Sequence, residues 1–165
     1  MLTQIINGHI LTPQGWLKDG SVLISDGKIL EVTNSDLAVI GAKVVDAKGM
    51  YIIPGFVAMN VHGGGGHDFK ECTEEAFHSA IAAHMKHGAT TIFPTLSSSP
   101  KESICKAVSI CEKLMAEKDG PVLGLHVEGP YLNAKMAGNL YDVKNPDKEE
   151  YMSLSLIHIS EPTRQ

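Results

Sequence analysis

Basic residues are too few for a broad nucleic-acid or anionic-membrane surface. Lys and Arg number 14 against 19 Asp and Glu, a net charge of -5, and no basic run interleaved with aromatics offsets that balance. Apolar stretches break off well before the ~20 residues that a membrane helix needs. The opening MLTQIINGHILTP has neither the basic start nor the long apolar run of a signal peptide. Cysteine is scarce and odd in number: Cys72, Cys105 and Cys111 stand without CxxC spacing, which favours reduced thiols in a cytoplasmic protein over a disulfide scaffold. The GxxxxGK[ST] phosphate loop, the HExxH zinc helix and the GxSxG nucleophile elbow are all missing. What remains is a chain of 165 residues, 43% hydrophobic and 20% charged, about one globular domain in length.

The first fifty residues carry closely spaced strand signals. Gln4–Ile6 and His9–Leu11 flank an Asn7-Gly8 turn, and Ser21–Ile24 and Lys28–Val32 flank Asp26-Gly27. Val44–Asp46 and Met50–Ile53 flank Lys48-Gly49. Asn-Gly and Asp-Gly pairs favour hairpin turns. Strands this short and close predict a small antiparallel, sandwich-like β domain over residues 1–53.

Pro54-Gly55 marks a change of pattern. Phe56–Val61 is apolar and extended, and the glycine run HGGGG follows it. A helix is predicted from about Thr73 to His87, with Glu74 and Glu75 in its first turn, a stripe of Phe77, Ile81, His84 and Met85, and Gly88 as its stop. Thr90–Thr95 reads as a strand. Ser99-Pro100-Lys101-Glu102 reads as a capping box opening a second helix, whose stripe is Ile104, Val108, Cys111 and Met115. Gly120-Pro121 stops it, and Val122–Val127 reads as a third strand. Strand and helix alternate, which predicts a parallel α/β core over residues 54–153. A complete (β/α)8 barrel needs ~250 residues, so a barrel here would hold only its first three βα units.

In parallel α/β folds chemistry gathers at the C-terminal ends of strands. Two segments qualify: Asn60-Val61-His62 before the glycines, and His126-Val127-Glu128 before Gly129-Pro130. Glu128 has the placement of a divalent-metal ligand, and equally of a solvated acid at a strand end. His126 shares its strand face and reads as ligand, as partner of a ligand, or as a satisfied core histidine. His62 faces a site or does not; Asn60 is a poor zinc ligand, so the pair is a weaker metal signal than His-x-His. The glycines permit close backbone approach to a ligand or form a simple turn. His78, His84 and His87 share a helix without an acidic partner, and Ser97 to Ser99 read as loop and cap.

Several segments together resemble one family. NGHILTPQGWLKDGSVLISDGKI and VVDAKGMYIIPGFVAMNVHGGGGHDF look like the opening strands and first barrel strand of amidohydrolases. HGATTIFPTLSSSP and LGLHVEGPYLN look like the second and third barrel strands of the N-acetylglucosamine-6-phosphate deacetylases within that superfamily. The resemblance spans residues 1 to about 152. It implies an incomplete TIM-like barrel, and a deacetylation yielding acetate and glucosamine 6-phosphate from an amino-sugar phosphate. It implies Glu128 as ligand to a divalent metal of zinc type, with His62 as a second candidate, and Gly138 and Asn139 as substrate contacts. It also implies a homodimeric parent, with the remaining metal histidines and the catalytic aspartate on later strands. The chain departs from the pattern at Ala58 and Asn60, where many relatives carry an aspartate and the first His of His-x-His. It departs again at Lys135-Met136-Ala137-Gly138-Asn139, where the family histidine is missing. The other readings are a dihydroorotase-like or deaminase-like amidohydrolase, and a non-catalytic remnant of the fold.

The stretch LSLIHISEPTR, Leu154 to Arg164, resembles the translation of a library-preparation adapter rather than the family. Residues 154–165 are therefore expected to be a non-native tail. The 165-residue polypeptide is expected to be inactive by itself, and poorly soluble or partly unfolded, because an open half-barrel leaves strand edges and apolar surface uncovered.

Overall fold

The computed structural model describes residues 1–34, 39–135, 138 and 143–157. The chain divides into two compact units, Met1–Pro54 and Gly55–Gln165.

The first unit is one mixed sheet rather than an antiparallel sandwich. Strand β1 (Leu2–Thr12) pairs antiparallel with β2 (Gly15–Ser25), and β2 pairs antiparallel with β3 (Lys28–Thr33). Strands β4 (Lys43–Asp46) and β5 (Tyr51–Ile52) both lie parallel to β1. The antiparallel expectation fails because β4 arrives over the connection 34–42 instead of a tight hairpin, and a longer connection permits a parallel neighbour. Asp26-Gly27 does turn a hairpin, with φ of 49° and 76°. Asn7-Gly8 does not reverse the chain. It forms an irregularity inside β1, with register shifts on both sides of Gly8. Asn7 takes φ 57° there, and its carbonyl accepts Gly49 N–H at 2.7 Å. A Cβ on Gly8 would lie 2.2 Å from Ile52 Cδ1, so any larger residue would have to push the Ile52 side chain aside.

The second unit holds the alternating pattern. Strands β6 (Phe56–Val61), β9 (Ala89–Ser97) and β10 (His126–Glu128) form a parallel sheet in the order β10-β9-β6. Between β6 and β9 come a short hairpin, β7 (Gly63–Gly64) and β8 (His67–Asp68), a single 3-10 turn (Phe69–Glu71), and helix α1 (Glu74–Lys86). Helix α2 (Lys101–Met115) joins β9 to β10, and α3 (Lys148–Ile157) lies beyond.

Thr73 caps α1, its hydroxyl accepting Ala76 N–H at 3.2 Å. The helix buries Ala76, Phe77, Ala80 and Ile81, whereas Met85 of the expected stripe is about half exposed. Phe77 meets Phe69 edge to face at 4.8 Å in the centre of the core. The α2 stripe includes Ile104, Val108 and Cys111 as expected, with Leu114 in place of Met115. The capping box is absent: α2 has no side-chain cap, and Ser99 Oγ donates to Ser97 O at 2.6 Å.

Pro94 shortens the third strand. Strand β9 is buried almost throughout, as a central parallel strand should be, but Pro94 has no N–H to offer a neighbour. The contact between Ile92 and Val122 is an isolated bridge, and the ladder resumes only at Thr95 and His126. Hence β10 covers His126–Glu128 instead of Val122–Val127. On the other side, the register with β6 shifts between Ala58 and Val61, opposite the same proline. Among the described residues, strands β6 and β10 each pair only with β9, and Phe56, Val57 and Met59 on β6 are more than half exposed.

Candidate functional site

Two strand-end residues come together at the C-terminal edge of the parallel sheet. His62 follows β6, Glu128 ends β10, and β9 lies between them. His62 Nε2 stands 3.3 Å from Glu128 Oε2. Their side chains are 44% and 36% exposed, so solvent or a ligand can reach both.

The glycine run holds the His62 end in place. Gly63–Gly64 and His67–Asp68 form a two-stranded hairpin with Gly65 and Gly66 at its tip. A Cβ on Gly63 would lie 2.1 Å from His67 O, so the run serves close packing of the hairpin on itself. Phe69 N–H donates to His62 O at 2.9 Å. His84 Nε2 lies 2.9 Å from Gly63 O, and since a carbonyl only accepts, that nitrogen carries a proton. His84 thus ties the hairpin to α1. The hairpin ends in a capping box at Asp68 and Glu71. The Asp68 N–H holds the Glu71 carboxyl below its ordinary range, and His67 at 3.1 Å adds to the effect.

The Glu128 end is tied through Thr95, whose side chain is fully buried on β9. Thr95 Oγ1 accepts Val61 N–H at 3.0 Å, at the point where the register of β6 on β9 has shifted and Val61 pairs with Pro94. The same oxygen lies 3.2 Å from His126 Nδ1. One side chain on β9 therefore binds the residue before His62 and the residue two before Glu128.

The sequence-predicted residues fare differently. His62 and Glu128 are brought together, and His126 is hydrogen-bonded beside them. Gly138 lies in a turn with φ 59°, and among the described residues nothing comes within 4 Å of where its Cβ would stand. Asn139 lies outside the described residues. Thr95 carried no sequence signal, because a single threonine in an apolar strand has no motif. His84 stood in the sequence as one of three helix histidines without a partner; its partner is a backbone carbonyl. Among the described residues no group of three or more His, Cys, Asp or Glu is placed to hold a metal ion.

Further along, burial pushes the Tyr131 phenol up to about 12, with Glu150 reinforcing the shift. Lys144 donates to Glu150 at 2.6 Å and holds that carboxyl low. Cys72, Cys105 and Cys111 are free thiols. Among the described residues no helix is long and apolar enough to cross a membrane.

No protein-family model matches the chain. A curated relative, N-acetylglucosamine-6-phosphate deacetylase of Haemophilus influenzae, is 33% identical over 137 residues, covering 81% of this chain and 35% of the relative. Among solved structures, the N-acetylglucosamine-6-phosphate deacetylase of Pasteurella multocida shares the fold with a TM-score of 0.86 at 24% identity, over 93% of this chain and 41% of that one. A mutant of the Mycobacterium smegmatis enzyme, solved in complex with N-acetyl-D-glucosamine-6-phosphate, matches with a TM-score of 0.80 at 25% identity, over 93% of this chain and 40% of that one. This chain spans about a third of the length of the curated relatives it matches. In sequence and in fold, the chain is related to the N-acetylglucosamine-6-phosphate deacetylases.

Proposed function

We propose that this chain supplies the Glu128 and His62 side of an active site that hydrolyses the acetamide of N-acetylglucosamine 6-phosphate to acetate and glucosamine 6-phosphate. The observation that carries the reading is the 3.3 Å approach of His62 Nε2 to Glu128 Oε2 at the C-terminal edge of a parallel sheet. That edge is where α/β enzymes place their chemistry. The relatives named for this reaction supply the substrate.

A divalent metal of zinc type suits the pair, because carboxylate oxygen and imidazole nitrogen are both ordinary zinc donors. Two donors are half of a tetrahedral set, and no third joins them among the described residues. The remaining ligands and the general base then belong to a longer polypeptide. When bound, the metal lowers the pKa of a water and polarises the acyl oxygen. This chain's residues orient the donors: Phe69 N–H and His84 fix the backbone at His62 and Gly63, and Thr95 fixes the strand ends. We read β6, β9 and β10 with their helices as the first three βα units of a (β/α)8 barrel, and Gly138 with Asn139 as a substrate loop. The exposed apolar edge of β6 supports a sheet that continues. The longer protein is read as a cytoplasmic homodimer, and the 165-residue chain alone as inactive.

The test is to read the source locus past the codon for Met152, express the encoded polypeptide and assay acetate release from N-acetylglucosamine 6-phosphate. Further βα units and turnover that Glu128→Gln abolishes support the reading. A gene that ends with the present tail, or full activity in Glu128→Gln, overturns it.

A further inference from the structure

We propose that β6 carries a one-residue bulge at Met59–Asn60, and that this bulge is the positioning element that turns His62 onto the face of Glu128. The proposal deepens the deacetylase reading and rests on it for the use of the pair as metal donors.

Three observations locate the bulge. Ala58 pairs with Ile92 and Val61 with Pro94, so Met59 and Asn60 together stand opposite Phe93 alone. Ala58 and Val61 both pack against the core cluster that holds Ile92 and Leu96. Residues three apart on a regular strand point to opposite faces, so a shared face requires an extra residue between them. Met59 and Asn60 are adjacent and both exposed, Met59 by 66%, where a regular half-buried strand would alternate. Bulges are rare between parallel strands and are over-represented beside active sites.

The consequence falls on His62. Counting on from Val61 opposite Pro94, His62 takes the row of Thr95, which pairs on its other side with His126. Residues in one row of a sheet point to the same side, and Glu128, two residues beyond His126, shares that side. Thr95 Oγ1 accepts Val61 N–H at 3.0 Å and so fastens the strand just past the bulge. An unbulged β6, counted from Ala58 opposite Ile92, would set Val61 beside Thr95 and His62 beside Leu96, whose side chain is buried in the core. A one-residue change of register exchanges the two faces of a strand. His62 would then point into the core, away from Glu128. The bulge lets Val61 close the core while the next residue serves the site, so strand parity, rather than the identity of residue 59, decides whether the pair forms.

Deletions read parity directly. Removing Met59 from the longer polypeptide leaves Asn60 opposite Phe93 and returns Val61 and His62 to their present rows. Removing Met59 and Asn60 together moves His62 to the row of Pro94, on the core side. Zinc titration calorimetry should find the affinity kept in the single deletion, which still melts cooperatively, and weakened at least ~10-fold in the double deletion. A regular strand predicts the reverse order; that order, equal affinities in the two deletions, or a single deletion without a cooperative melt overturns the proposal. In the 165-residue chain, iodoacetamide followed by mass spectrometry should label Met59→Cys and Asn60→Cys rapidly, and Ala58→Cys and Val61→Cys slowly. Strict alternation along these four positions overturns the bulge. Failure of the deacetylase reading would appear separately, as no zinc uptake by the unsubstituted longer polypeptide with this labelling pattern intact.

Discussion

Replacing Thr95 by valine removes one hydroxyl at nearly constant volume, and the structure fixes what is lost. The side chain is fully buried, so the new methyl packs without a cavity. Val61 N–H loses an acceptor at 3.0 Å and keeps its ladder pairing opposite Pro94, and His126 Nδ1 loses its partner at 3.2 Å. Two lost hydrogen bonds at about 0.5–1.5 kcal/mol each cost about 1–3 kcal/mol together. With a urea slope of about 2 kcal/mol per molar, the midpoint should fall by roughly 0.5–1.5 M. Thr95→Ser is the control. It keeps the oxygen and loses only a methyl, at a cost of about 1 kcal/mol. Urea unfolding followed by circular dichroism gives both numbers. A Thr95→Val midpoint equal to that of the unsubstituted chain, or Thr95→Ser falling further than Thr95→Val, would refute the view that the hydroxyl joins the two strands.

Two further outcomes follow from the core. Phe77→Ala opens a cavity against Phe69, both rings having no exposed surface; it should cost about 3–5 kcal/mol, read as loss of the cooperative urea transition or a large fall in its midpoint. Burial pushes the Cys111 thiol up to about 12, which cuts its thiolate fraction at pH 8 roughly a thousandfold from that of an ordinary thiol. Mass spectrometry after brief iodoacetamide treatment should find Cys111 unmodified in the folded chain and modified in urea. Rapid labelling of Cys111 without urea would contradict the packing of α2.

Much of the second unit was legible in the sequence because periodicity and breakers agreed there. Phe56–Val61, the α1 segment, the central strand and α2 all show one period, bounded by Gly88 or Gly120-Pro121. The errors have local causes. Ser99 reads as a cap, but its hydroxyl turns back to Ser97 O. Val122–Val127 reads as one strand, but Pro94 on the neighbour denies it a ladder bond. Asn7-Gly8 reads as a chain reversal, but β1 absorbs its positive φ and continues. In the site, His62 and Glu128 were legible as strand-end residues, since strand ends can be located from the pattern. Their approach to 3.3 Å was not, because it depends on which strands become neighbours. Thr95 and His84 act on backbone groups far away in sequence, and side chain-to-backbone bonding of that kind leaves no motif to read.

The central claim is that Glu128 and His62 are two donors of one metal site, and zinc titration calorimetry tests it most directly. The longer polypeptide encoded by the source locus and its Glu128→Gln, His62→Ala and Glu71→Gln variants are compared at neutral pH. The last is a matched control, because His67 and Glu71 form a similar pair at 3.1 Å outside the site. The account predicts that Glu128→Gln and His62→Ala each weaken zinc binding at least ~10-fold, while Glu71→Gln leaves it unchanged. Zinc binding that both site variants retain in full, or an unsubstituted longer polypeptide that takes up none, would contradict it.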